Sequence, residues 1–79
     1  MSNLLRKPKV LQKSGHKHAT FEARIRAGLF VPPVKISQRS SAWPEDEVDR
    51  INAAVVAGKT PEQLRELVKK LVADRKLAA

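Results

Sequence analysis

Residues 15–43 read GHKHATFEARIRAGLFVPPVKISQRSSAW, and the way this stretch is parsed decides the fold. At about 100° per residue, Phe21 and Ile25 share one helical face with Gly28, while Ala19, Glu22, Ala23 and Arg26 gather on the opposite arc, so a helix is expected over 17–27. His18 and Thr20 fall on its flanks. Arg24 lies nearer the buried side than a charge prefers, which predicts a stem laid along apolar surface with the head group in water. Val31-Pro32-Pro33 cannot continue a helix and fixes an extended backbone. Val34-Lys35-Ile36 then alternates inward, outward, inward, Ser37-Gln38-Arg39-Ser40 supplies a turn, and Ser41-Ala42-Trp43 returns, which predicts a two-stranded hairpin near 33–43. Trp43 belongs with Phe30, Val34 and Ile36 in a core.

On the N-terminal side, Leu4 and Leu5 precede Arg6-Lys7-Pro8, and a proline suits the first turn of a helix expected over 8–13. Val10 and Leu11 face inward, Lys9, Gln12 and Lys13 face water, and Ser14-Gly15 ends the segment. On the C-terminal side, Pro44-Glu45-Asp46-Glu47 opens a helix expected over 44–57, with acids where the macrodipole favours negative charge. Its apolar edge is Val48, Ile51 and Val55. Thr60-Pro61-Glu62-Gln63 is a capping box ahead of a helix expected over 61–76. Leu64, Leu67, Val68, Leu71 and Val72 make a stripe about 140° wide along it, with Glu66 spaced to pair with Lys70.

A chain of 79 residues holds one small core at most. It has no cysteine, which excludes disulfides and thiolate metal sites and agrees with a cytoplasmic location. MSNLLRKPK does not build the apolar run of a signal peptide, and no segment reaches the roughly 20 apolar residues of a membrane span. The net charge of +8 is unevenly placed: residues 1–43 hold nine Lys/Arg against one acid, Glu22, and residues 44–79 hold seven against seven. A field concentrated in that way attracts polyanions, of which nucleic acid is the commonest in a cytosol.

No other chemistry is readable. His16 and His18 point about 200° apart on a helix and have no third ligand nearby, so no metal or cofactor is expected. The serines and histidines form no nucleophile, base and orienting group, and the acids at 45–49 are explained as a helix start, so no enzyme is expected. A basic helix after a tight turn, followed by a basic hairpin, suits double-stranded DNA, with the helix in the major groove. The side chains expected at DNA are Lys17, His18, Ala19, Thr20, Glu22, Ala23, Arg26, Lys35, Arg39 and Ser40, with Lys9 and Lys13 on phosphates. His16 and His18 are expected to make binding depend on pH.

Leu4-Leu5-Arg6, the segment from Pro8 to Leu11, Gly15, Thr20, Ile25, Gly28, Phe30, Pro33-Val34-Lys35-Ile36, Arg39, Ala42-Trp43 and Glu47-Val48 together resemble the AlpA family of prophage and mobile-element regulators. Phe30 to Val48 follows that family's pattern F-x-x-P-V-K-(L/I)-x-x-R-x-x-A-W-x-x-x-E-V throughout. The chain departs from the family at His16, Lys17, Glu22 and Arg24, all in or beside the second helix. The resemblance covers residues 4 to about 55 and implies an α+β, mostly helical, winged helix-turn-helix related to MerR-type and excisionase domains; the domain is taken as residues 1–57, and the amphipathic helix within residues 58–79 lies outside the resemblance. The resemblance also implies a sequence-specific transcriptional regulator in the nucleoid; an excisionase that bends DNA beside an integrase is the alternative. An adaptor with a basic, non-specific nucleic-acid-binding half is the alternative from another class. Leu64, Leu67, Val68 and Leu71 are expected to mediate self-association, which would place two reading helices on one duplex as a homodimer; folding back on the chain's own domain, which the 140° width suits, is the alternative.

Overall fold

The computed structural model describes residues 3–77. Its elements are β1 (Leu4–Leu5), α1 (Lys7–Ser14), α2 (His18–Arg26), β2 (Val34–Lys35), β3 (Ser41–Pro44), α3 (Glu45–Val56) and α4 (Pro61–Leu77), a mostly helical α+β arrangement. The sheet is antiparallel with order β1-β3-β2. Val34 pairs with Ala42 and Lys35 with Ser41 in the expected hairpin. The third strand was not expected: Leu4 and Leu5 pair with Pro44 and Trp43, and the Glu45 N–H donates to the Asn3 carbonyl at 2.7 Å. Pro44 has no N–H to give the ladder, so it stands at the strand's end and serves as the extended N-cap residue of α3, one position earlier than expected.

Each boundary has a local cause. The Gly15 N–H donates to the Leu11 carbonyl at 2.9 Å from a left-handed φ of 75°, which stops α1 and leaves Gly15 to Lys17 as the turn. Lys17 is the N-cap of α2 rather than its first residue, with extended backbone and no acceptor to offer the free N–H groups. Gly28, at φ 78°, lets the Leu29 N–H reach back to the Arg24 carbonyl at 2.9 Å, closing α2 and turning the chain toward the hairpin. The capping box forms: the Thr60 N–H donates to Gln63 Oε1 at 2.9 Å and the Gln63 N–H to Thr60 Oγ1 at 3.2 Å.

The core joins every layer: Val10 of α1, Phe21 of α2, Phe30 and Val31, Trp43 of β3, Val48 and Ile51 of α3, and Val68 and Leu71 of α4. Phe21 meets Phe30 and Trp43 edge-on, with centroids 5.0 and 5.4 Å apart. Trp43 Nε1–H donates to the Val31 carbonyl at 3.1 Å, so the indole is held inside with its one donor used.

Two expected core positions lie outside it. Ile36 is 44% exposed because β2 ends at Lys35 and the Ile36 N–H closes the turn onto the Ser40 carbonyl at 3.0 Å, beyond the reach of the helices. Val55 is 45% exposed, one turn past Ile51, the last fully covered position of α3. The expectation that Leu64, Leu67, Val68 and Leu71 await a second chain is also corrected. Leu64, Val68 and Leu71 are buried within this chain, and Leu67 and Val72 are partly buried against the same cluster. The stripe's breadth suits this contact, since a 140° face covers a core more fully than the narrow seam of a coiled coil.

An ion pair locks α4 in place. Glu47, only 6% exposed, accepts from Arg75 Nε at 3.1 and 3.0 Å and from Arg75 Nη2 at 2.6 Å, while Nη2 also donates to the Pro32 carbonyl at 2.8 Å. One guanidinium therefore ties α4, the start of α3 and the lead into the hairpin together. Glu47→Ala is expected to destabilise the chain by about 3 kcal/mol in urea unfolding, toward the low end for removing one partner of a buried pair because Arg75 keeps some contact with water.

Candidate nucleic-acid interface

Exposed cations that form no salt bridge among the described residues stand on and beside α2 and on the hairpin, and also at Lys9, Arg50, Lys59, Lys70 and Lys76. Lys17, His18, Ala19, Thr20, Ala23 and Arg26 are exposed on or beside α2, and His18, Glu22 and Arg26 follow one another at four-residue spacing along it. Lys35 and Arg39 are exposed on the hairpin, where Lys35 Nζ donates to the Gln38 carbonyl at 3.1 Å and braces the turn that carries Arg39. Ser40 is partly covered and its Oγ lies 3.5 Å from Arg6 Nη2. Lys7, Glu22, Ile25, Pro33, Arg39, Ser41 and Trp43 line one open cleft, so the start of α1, Glu22 and Ile25 of α2 and the hairpin arginine open onto a common space. Ala19, Thr20, Ala23, Ala27 and Leu29 line a second, shallow and largely apolar trough along α2. Arg65 of α4 braces α2 from behind, its Nε donating to the Ala27 carbonyl at 3.0 Å.

Three expected site residues stand elsewhere or are already engaged. Lys13 Nζ lies 3.0 Å from Glu45 Oε2 and 2.7 Å from Asp49 Oδ1, and these hydrogen bonds, Asp49's first, raise its pKa. Its proton is held firmly, but two carboxylates of α3 more than offset its charge, which removes the reason to place it on a phosphate. Lys9 is exposed and shares Lys13's side of α1, about 200° around from Lys7. The cations that α1 brings toward the cleft are instead Arg6 and Lys7. Glu22, expected to face bases unengaged, is ion-paired with Lys7, and that hydrogen bond lowers its pKa against the opposing effect of burial. Arg6, Lys7 and Arg65 were missed as site residues; the dipeptide Arg6-Lys7 ahead of Pro8 was the available signal for the first two.

The head group of Arg24 is less free than expected: the side chain is partly buried, and its Nε is enclosed with no hydrogen-bond partner. His16 is partly buried as well, and burial first, then the Arg24 charge, lowers its pKa from 6.5. It is therefore a poor source of extra positive charge near neutral pH, against the expectation that both histidines feed a pH-dependent contact. The linkage has a definite sign: below pH 6.5 the unfolded chain takes up a proton at His16 that the folded chain refuses until its own lower pKa is reached. Stability is expected to fall as pH drops through that window, and His16→Gln to flatten the fall in urea unfolding between pH 7.5 and 5.5. The Glu22 contribution has the other origin, being present above its unfolded value of 4.5 and lost as pH falls through its lower folded pKa, so it leaves this window largely undisturbed.

Comparison with family models, curated proteins and solved structures finds no match to this chain. Among the described residues no helix is long and apolar enough to cross a membrane.

Proposed function

We propose that this chain is a small winged helix-turn-helix protein that binds double-stranded DNA by sequence and regulates mobile-element genes, as the AlpA family it resembles does. The observation that carries the reading is the common cleft onto which Glu22 of α2 and Arg39 of the hairpin both open, in a half of the chain whose Arg6, Lys17, Arg26, Lys35 and Arg39 form no salt bridge with a carboxylate among the described residues. In this reading α1 lies on the backbone, α2 enters the major groove and the hairpin is the wing. Small Ala19 and Ala23 allow close approach to base edges, and Arg6, Lys17, Arg26, Lys35 and Arg39 neutralise phosphates along the face. The adaptor reading loses its main support, because the leucine stripe it would use is covered by the chain's own core. An excisionase would use the same surface and differ in footprint, occupying adjacent sites beside an integrase attachment region.

Selection of bound sequences from a random duplex pool tests the proposal. A single recovered motif supports it, and recovery of unenriched sequence rejects it. Arg39→Ala is expected to weaken binding at every sequence and to reduce the salt slope by about 1 if Arg39 meets phosphate, or to relax preference at A·T-rich flanks if it enters the minor groove. Unchanged binding by this variant in an equilibrium titration would show that the hairpin is not a wing.

A further inference from the structure

Glu22 is the one acid among residues 1–43, it stands between His18 and Arg26 on the outward row of α2, and its partner Lys7 lines the same cleft. A pair of this kind is neutral as a unit. Lys7 held by Glu22 offers no net charge to a phosphate, and the carboxylate beside it repels one. Building on the DNA reading above, we propose that the Lys7–Glu22 pair is a specificity device: on cognate DNA the Glu22 carboxylate accepts from the amino group of one cytosine and the released Lys7 ammonium moves to a phosphate, whereas on other DNA the pair stays closed. A carboxylate on a groove-facing helix is matched by the cytosine N4 donor, matched less well by adenine, whose N6 donor sits beside the N7 acceptor, and opposed by the acceptor edges of guanine and by thymine O4. The exchange conserves contacts best where that cytosine is present; at guanine or thymine, opening the pair leaves a carboxylate unmatched among phosphates. The same two residues therefore lower affinity for unrelated sequence and restore it at one base pair, as expected where discrimination includes a repulsive element. Both side chains keep about a third of their surface in water, so replacing them leaves the core intact.

The test compares wild type, Glu22→Gln and the double variant Lys7→Met/Glu22→Gln on random duplex and on the sequence selected by wild type. Glu22→Gln is expected to bind random duplex more tightly, with a salt slope steeper by about 0.9 because Lys7 now reaches phosphate. In a repeated selection it should lose about tenfold preference for cytosine at one position and keep the rest of the motif. The double variant replaces one neutral pair with another, so it should return to the wild-type affinity and slope on random duplex while cytosine preference stays lost. A wild type that selects a motif, with a Glu22→Gln variant that leaves both the motif and the random-duplex slope unchanged, overturns this inference and leaves the DNA reading standing. A wild type that selects no motif overturns both.

Discussion

A chain ended at Gly58 is expected to be unfolded. The truncation removes Val68 and Leu71, which share the core with Phe21, Trp43, Val48 and Ile51, it removes buried Leu64, and it removes Arg75, the counter-ion of buried Glu47. Three side chains of that size contribute about 5–9 kcal/mol by burial. A chain of this length has a total stability of roughly 4–12 kcal/mol. The loss is therefore comparable with the whole, before the cost of leaving Glu47 without its partner. The truncated chain should lack the near-ultraviolet circular dichroism of a packed Trp43 and show no cooperative melt, while the full chain shows both. Leu71→Ala separates packing from length and should cost about 2–5 kcal/mol in urea unfolding. A truncated chain that melts cooperatively near the full-length temperature would mean that residues up to Gly58 hold a core of their own and that α4 is an accessory.

The second large effect concerns salt. On the DNA reading the cations free to meet phosphate are Arg6, Lys17, Arg26, Lys35 and Arg39, because Lys13 is held by Glu45 and Asp49, Lys7 is held by Glu22, and Lys9 stands on the side of α1 away from Lys7. About five neutralised phosphates give a slope near −4.5 in log affinity against log salt, so a fourfold rise in salt should weaken binding roughly 500-fold. A fluorescence-anisotropy titration with a short random-sequence duplex, on which the Lys7–Glu22 pair stays closed, measures it at four salt concentrations. A much steeper slope would bring Lys7, Lys9 and Lys13 back into the contact; a flat one would exclude phosphate contacts altogether.

What was readable in the sequence was what is local. Phe21 and Ile25 at helical spacing, the proline pair, the alternation at Val34-Lys35 and the Thr60–Gln63 capping box each act within a few residues, and each element they indicate is present in the structure. Strand β1 was not readable because two leucines carry no period; only the edge of β3, nearly forty residues on in the chain, makes them a strand. Ile36 and Val55 were misplaced for a related reason, since alternation and helical phase give a side chain's direction but not where the covering layer stops. The breadth of the α4 stripe pointed to a globular contact, yet the surface it meets, chiefly α3, has no signature in α4 itself. The candidate site divides in the same way. The cations on α2 and the hairpin turn follow from local phase, but Lys13 with Glu45 and Asp49, Lys7 with Glu22, and Arg75 with Glu47 are long-range pairs, and these decide which charges are free. Counting lysines and arginines identified the basic half, and the acids folded against it define the basic face.

The central claim is that α2 and the hairpin form one DNA-reading face. Mapping backbone amide chemical shifts of the full chain during titration with a selected duplex tests it most directly. Perturbations should concentrate at Arg6 and Lys7, from Lys17 to Arg26 and from Lys35 to Ser41, with the outer faces of α3 and α4 unaffected. Shifts centred on Val55, Val56 and the groove bordered by Lys59, Glu62 and Leu67, with α2 silent, would contradict it.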